Sequence, residues 1–354
     1  MKENIIYILF AILPFISILL IFLFFIKYRQ HQKNNLRWLR LIIGNLLLFI
    51  FLISILILAG ESYYRFFYDT TESFGLTKTT ERWFDRYYHR NKSGFRDNIE
   101  YYNKPHSGKR RITFIGDSFT VGHGIKDVDN RFVNIIRKMN PDWEVHMLAT
   151  NGSNTGFHLD IIQNIVKKYK IDQVVLVYNL NDISDIGNEQ NVILKNIYES
   201  SKPPYLAKNS YLFNMIYFRF LALTNPEIIN FFRFTRKAYR DTPIWETQKY
   251  DLKKIRDIVQ GHGGRLLVVT FPFLHRLGAD YEYRQVHQQL DEFWRSLNVP
   301  HLDLLELYNN YSSDDLTVNP RDAHPNERAH AMAAKAITGF LEKHVREDIS
   351  DMGK

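Results

Sequence analysis

Two long apolar blocks open the chain, and short apolar runs at a different period fill most of the remainder. Ile5 to Ile26 is interrupted by little more than Pro14 and Ser17, and Leu41 to Ala59 forms a second run. Crossing a hydrocarbon layer of about 30 Å takes roughly 20 helical residues, and each run meets that length. No small-residue cleavage pattern comes after the first run, which continues straight into Lys27, Tyr28 and Arg29. The pattern therefore predicts two spans rather than a removed leader. From Arg111 onward, β-branched runs read as strands at Ile112–Ile115, Glu144–Leu148, Gln173–Tyr178, Arg265–Phe271 and His301–Leu305. Helical spacing appears at Asn130–Met139, His158–Tyr169, Gln248–Gln260, Tyr283–Leu297 and Glu327–Leu341. Alternation of this kind predicts an α/β fold: a doubly wound parallel sheet of five strands in a flavodoxin-like layout.

The alternation is broken once, between the third and fourth strands. Residues 183–243 carry Pro203-Pro204 and then Tyr211, Phe213, Tyr217, Phe218, Phe220, Phe231, Phe232 and Phe234, interleaved with Arg219, Arg233, Arg236 and Lys237. One reading is an inserted helical subdomain that packs its rings inward. The other is a lid or membrane-facing surface, since basic helices with aromatic faces favour interfaces. The expected organisation is an anchor at 1–60, a lead-in at 61–108, the α/β domain at 109–345 and a polar tail at 346–354.

Charge sharpens the topology. The formal charge of +8 gathers beside the apolar runs, and the link 27–40 holds Lys27, Arg29, Lys33, Arg37 and Arg40 with no acidic residue. A positive excess in a short link predicts its cytoplasmic placement, with both termini and everything after Gly60 outside a cell membrane. Tyr63, Tyr64, Phe66, Phe67 and Tyr68 come after the second run as an interfacial belt would. No nucleic-acid signature accompanies the charge, and two spans leave no bundle for a transport path. The chain has no cysteine, which excludes disulfides, thiolate metal sites and cysteine nucleophiles.

The candidate chemistry sits at strand ends, where open α/β sheets carry their sites. Arg110-Arg111-Ile112-Thr113-Phe114-Ile115 breaks into Gly116-Asp117-Ser118, which would throw one hydroxyl out at the carboxyl end of the first strand. Gly152 stands after the second strand and offers a backbone N–H free of any side chain beside it. Tyr178-Asn179-Leu180-Asn181-Asp182 stands after the third, with amides that would project at the same rim. Asp322-Ala323-His324-Pro325-Asn326 stands directly before the last helix. A serine nucleophile needs a base, and the base needs an orienting carboxylate; His324 and Asp322 offer both from one loop. Each segment alone also reads as ordinary turn or helix-start chemistry. His123, five residues after Ser118, reads as a helix-start residue rather than a second base.

Taken in order, these blocks resemble those of the SGNH, or GDSL, hydrolases over roughly residues 91–341. The run Ser93-Gly94-Phe95-Arg96-Asp97 is also similar to bacterial membrane-anchored members. The resemblance implies Ser118 as nucleophile, His324 as general base and then acid, and Asp322 as its orienting partner. It implies an oxyanion hole from the Ser118 and Gly152 N–H groups and the Asn181 amide, acyl transfer through an acyl-enzyme, and no metal or organic cofactor. Its expected substrates are O-acyl, above all O-acetyl, groups on surface or secreted carbohydrate, beside polysaccharide synthesis machinery. Transfer to a sugar hydroxyl, a lipid esterase or thioesterase, and a silent carbohydrate-binding component are the alternatives. Two positions depart from the pattern: Asn179 stands where glycine is common, and Arg321 where the aspartate three residues before the histidine is common.

Overall fold

The computed structural model describes residues 2–30, 37–106, 108–184, 186, 188–278 and 280–352. Residues 31–36 of the basic link, Lys33 among them, lie outside the described residues, as do 185 and 187 of the insertion and 353–354 of the tail. The chain divides into two units: Met1–Thr70 with Leu76–Arg82 and Glu199–Asn225, and Thr71–Gly75 with Trp83–Tyr198 and Pro226–Lys354. The insertion is thus shared between them.

In the first unit, α1 (Lys2–Gln30) and α2 (Arg37–Ser62) pair along their length. Both are long and apolar enough to cross a bilayer. Only 11% and 6% of the residues in their most apolar stretches are buried, whereas the core helix of a domain is mostly buried. Tyr7 Oη and Ser62 Oγ meet at 3.3 Å where the pair opens. The α3 helix (Lys78–Tyr87) begins in this unit. Two helices of the insertion also belong to it, α8 (Tyr205–Asn209) and α9 (Tyr211–Thr224).

The second unit is built on five parallel strands. They are β1 (Arg110–Gly116), β2 (Trp143–Ala149), β3 (Gln173–Asn179), β4 (Arg265–Phe271) and β5 (His301–Asp303), in the order β2-β1-β3-β4-β5. That order is the flavodoxin-like doubly wound one, as the alternation predicted. Side chains alternate across the sheet because successive residues of a strand point to opposite faces. Val174, Leu176, Leu266 and Val268 pack one way, with Ile162 of α6 (Thr155–Lys168), Leu252 of α11 (Thr242–Gly261) and Leu290 of α12 (Arg284–Ser296). Val175, Val177, Leu267 and Val269 pack the other way, with Ile136 of α5 (Phe132–Met139) and Ala333 and Ile337 of α15 (Glu327–Met352). Both sheet faces are covered, so the strands read as continuous apolar runs.

The remaining elements are short or belong to the insertion. They are α4 (Ser118–Val121), α7 (Asn188–Ser200), α10 (Pro226–Arg240), α13 (Leu305–Tyr308), α14 (Ser313–Leu316) and the antiparallel pair β6 (Thr317–Asn319) and β7 (Asp322–Pro325). Helix ends moved where caps decide them. The α6 helix starts at Thr155 because Asn154 accepts from Phe157 N, and α11 starts at Thr242 because Asp241 accepts from Ile244 N. The expected tail continues α15 to Met352, through a stretch with no glycine or proline to stop it.

Candidate active site

The register of the sheet brings three chain segments to one rim. Gly116 at the end of β1 lies opposite Ala149 of β2 and Val177 of β3, so the turns after these strands leave side by side. After β1 the chain folds at once into α4. Asp117 caps it, its Oδ1 accepting from Phe119 N at 2.9 Å, and Ser118 is the first helical residue. Gly116 admits this reversal because a Cβ there would lie 2.2 Å from Thr120 Oγ1 and 2.9 Å from the Val177 carbonyl. Only glycine lets the turn fold back that closely.

Asp322 and His324 arrive on β7 rather than on an irregular loop. Alternate residues of a strand share a face, so a spacing of two sets both side chains toward Ser118. The Ser118 hydroxyl donates to His324 Nε2 at 2.8 Å, and His324 Nδ1–H donates to Asp322 Oδ1 at 2.5 Å. Asp322 Oδ1 also accepts from the His324 backbone N–H at 3.1 Å, and its Oδ2 accepts from the Thr71 hydroxyl. Strand geometry thus explains why the carboxylate succeeds at two residues before the histidine. Arg321, at three, turns its carbonyl to Ser73 N at 3.2 Å instead.

Electrostatics suit this chain of bonds. Burial works against ionising Asp322, but the His324 and His123 rings and the hydrogen bonds from His324 and Thr71 outweigh it and hold its carboxyl down at about 2. Burial disfavours the His324 imidazolium, yet the Asp322 charge and hydrogen bond, with Asp117 and Glu72 nearby, raise it above the ordinary histidine value. Asp117 itself is pushed up to about 6 by burial.

Gly152 and Asn181 border the same cavity as Ser118 and His324. Gly152 adopts φ +74°, and a Cβ on it would meet nothing within 4 Å. The glycine is therefore required by the backbone twist rather than by crowding. Asn181 rides a 3-10 turn, Leu180–Ile183, closed by a capping box in which the Asn179 side chain accepts from the turn and Asp182 accepts from Asn179 N at 3.0 Å. The unusual Asn179 does not border the cavity; it fixes the turn that presents Asn181.

In block order and geometry, the site resembles that of the SGNH hydrolases. No family model matches the chain and no curated protein matches it. Among solved structures it is similar to TesA at 12% identity, covering 66% of this chain and 99% of that one with a TM-score of 0.43. It is similar to a lipolytic protein of the G-D-S-L family from Desulfitobacterium hafniense at 10% identity, covering 66% and 99%, TM-score 0.42. A third is a catalytic mutant of an acetylxylan esterase from Geobacillus stearothermophilus, at 12% identity, 66% and 95%, TM-score 0.41.

Around these blocks stand residues that motif spacing did not single out. Thr71 and Ser73 run beside β7: Asn319 Nδ2 donates to Thr71 O at 3.0 Å, and Ala323 N donates to Ser73 Oγ at 2.9 Å. Nothing local marks them, because they lie some 250 positions from their partners. Arg96, within the run resembling anchored members, is fully buried and donates to the Val121 and Gly122 carbonyls at 3.2 and 2.6 Å, bracing the chain after α4. His123 is not a helix-start residue. It comes after the α4 cap Gly122, its ring centroid lies 4.2 Å from that of His324, and its Nε2 is 3.5 Å from Asp322 Oδ2. Burial holds it down at about 3, so it is a neutral neighbour and not a second base. His123, Asp322 and His324 offer ligand atoms within 4.8 Å of one another, but both nitrogens of His324 already serve Ser118 and Asp322.

The cavity beside Ser118 holds about 420 Å3. Phe74, Phe84, Phe231, Phe232, Phe273 and Tyr198 wall it, and Tyr198 Oη donates to the Phe74 carbonyl at 3.1 Å. Among the described residues no Lys, Arg, Asp or Glu borders it.

Proposed function

We propose that this chain is a membrane-anchored serine esterase of the SGNH type whose α/β unit works outside the cytoplasmic membrane. The carrying observation is the closed sequence of bonds from Ser118 Oγ through His324 to Asp322. Ser118 Oγ attacks an ester carbonyl as His324 Nε2 takes its proton, and Asp322 stabilises the imidazolium and holds its tautomer. The oxyanion gathers at the Ser118 and Gly152 N–H groups and the Asn181 amide. His324 returns the proton to the departing alcohol, leaving an acyl-Ser118 ester. Water, activated by the same histidine, then releases the acid. A sugar hydroxyl in place of that water would make the enzyme a transferase.

O-acetyl groups on extracellular carbohydrate are the substrates we favour from the exported placement that the basic link supports. The absence of charged side chains among the described cavity residues suits a neutral ester. An intact triad speaks against a silent binding component. The aromatic wall favours a second reading, an ester of a longer apolar acyl chain. In that case kcat/KM rises about fourfold per added methylene, since burying one CH2 yields about 0.8 kcal/mol.

The test uses the full chain in detergent with p-nitrophenyl esters from acetate to octanoate. We expect Ser118→Ala to abolish hydrolysis of every ester and labelling by a fluorophosphonate. A wild-type protein that neither hydrolyses any ester nor takes the label would overturn the esterase reading. A flat or falling chain-length series would leave acetyl as the acyl group, and a rising one would replace it.

A further inference from the structure

The α9 helix carries an apolar face that the rest of the chain leaves uncovered. Ile216, Phe220 and Leu223 are 51%, 62% and 79% exposed. At spacings of four and three residues they share one side of the helix. Single exposed apolar residues are ordinary, but an aligned set of large ones marks a contact surface.

The position at which α9 is fixed bears on what covers this face. Its N-terminus is capped by a fully buried carboxylate at the last turn of α2: Glu61 accepts from Ser210 Oγ at 2.6 Å, Tyr211 N at 3.1 Å and Leu212 N at 2.9 Å. The two backbone bonds satisfy donors that a helix start otherwise leaves unpaired. Leu212 packs on Gly60, where a Cβ would lie 3.0 Å from its Cδ1, and the Phe213 ring lies 5.9 Å from that of Phe10 in α1. Farther along, Arg219 donates to Tyr64 Oη at 2.8 Å, just beyond α2. The helix is therefore held against both apolar helices at the end where α2 finishes, and those helices themselves expose Leu, Ile and Phe along their length.

We propose that α9 is a third lipid-contacting helix, lying in the interfacial layer of the leaflet that α2 leaves, with Ile216, Phe220 and Leu223 among the acyl chains. Arg219 and Lys208 suit the headgroup level, where basic side chains of interfacial helices sit. The proposal rests on the reading that α1 and α2 span a bilayer, and it goes beyond it by assigning part of the insertion to the membrane.

The absence of cysteine makes the test direct. Single variants Ile216→Cys, Phe220→Cys and Leu223→Cys of the full chain carry a nitroxide in vesicles of phosphatidylethanolamine and phosphatidylglycerol. Leu19→Cys in α1 and Lys254→Cys in α11 serve as lipid and water references. The expected result is high oxygen accessibility and at least fivefold lower accessibility to a water-soluble nickel chelate than at Lys254→Cys. Nickel accessibility equal to that at Lys254→Cys, with Leu19→Cys protected, would overturn the proposal and leave the spans standing. Loss of protection at Leu19→Cys as well would overturn the spanning reading itself. Spin–spin broadening between copies, with both reagents excluded, would also overturn it, because a second chain would then cover the face.

Discussion

His324 is held above the ordinary histidine range by a carboxylate that stays ionised down to about pH 2, and this would set the acid limb of the proposed activity. In its proposed role as general base, His324 must be neutral, so kcat/KM is expected to rise only as pH climbs through its raised value. We expect the acid limb above about pH 6.5, the ordinary histidine value. Asp322→Asn removes the charge that sustains the imidazolium and leaves burial unopposed, so the limb moves to lower pH while kcat falls roughly 10⁴-fold. A pH–rate profile reads both, and an unmoved limb would refute the pairing. The stability linkage has a definite sign. Stabilisation from the raised His324 is complete below its unfolded value and fades as pH rises through the folded one, so the working form is the less stabilised. That from Asp322 is complete above about pH 3.9 and is lost as pH falls toward 2. Gly116 and Gly152 separate at the same scale. Gly116→Ala drives a methyl into Thr120 and Val177, and melting should show a loss of about 1–3 kcal/mol from overpacking. Gly152→Ala meets no atom and should lose only the left-handed backbone cost, about 1–2 kcal/mol.

At the level of elements, strands and helices were legible wherever side-chain period carried the information. β1 to β4 fall within two residues of the expected ends because each is an apolar run bounded by polar turns. The motif residues Ser118, Gly152, Asn181, Asp322 and His324 were legible as candidates; the structure sets Ser118, Gly152, Asn181 and His324 around one cavity, with Asp322 bonded to His324. What stayed hidden was the small pair β6–β7, whose three and four residues are too short to show a period. With it went the reason that Asp322 works at two residues before His324, and the support from Thr71 and Ser73. The turn that presents Asn181 yields a graded prediction. Asn181→Ala removes the proposed oxyanion donor and should lower kcat 10²–10³-fold. Asn179→Ala removes the cap beneath it, costing about 1 kcal/mol of stability and about tenfold in kcat, with KM little changed. Steady-state kinetics with thermal melts separates the two; equal losses from both would mean that the cap does more than position the turn.

Across the whole molecule, the expected boundary after residue 60 runs through a packed unit, because α8 and α9 share it with α1 and α2. A chain beginning at Glu61 would leave Leu212 and Phe213 without Gly60 and Phe10. Light scattering should find it dependent on detergent or self-associated, whereas a monodisperse, detergent-free preparation would contradict that packing. The insertion could not be divided between units from sequence, since its aromatic residues look alike whichever neighbour they meet. Yet its point of attachment is informative. It leaves after β3 and returns ahead of β4, two strands paired side by side in parallel register. Two such strands need a crossover in any case, and lengthening one is entropically mild: doubling a loop adds only about 0.6 kcal/mol. The residues proposed to act, in the turns after β1 and β3 and on β7, can stay fixed while that crossover is exchanged for another. Diversification of what is cleaved, and of where the protein resides, can then proceed as replacement of a cassette, with the reaction centre inherited unchanged.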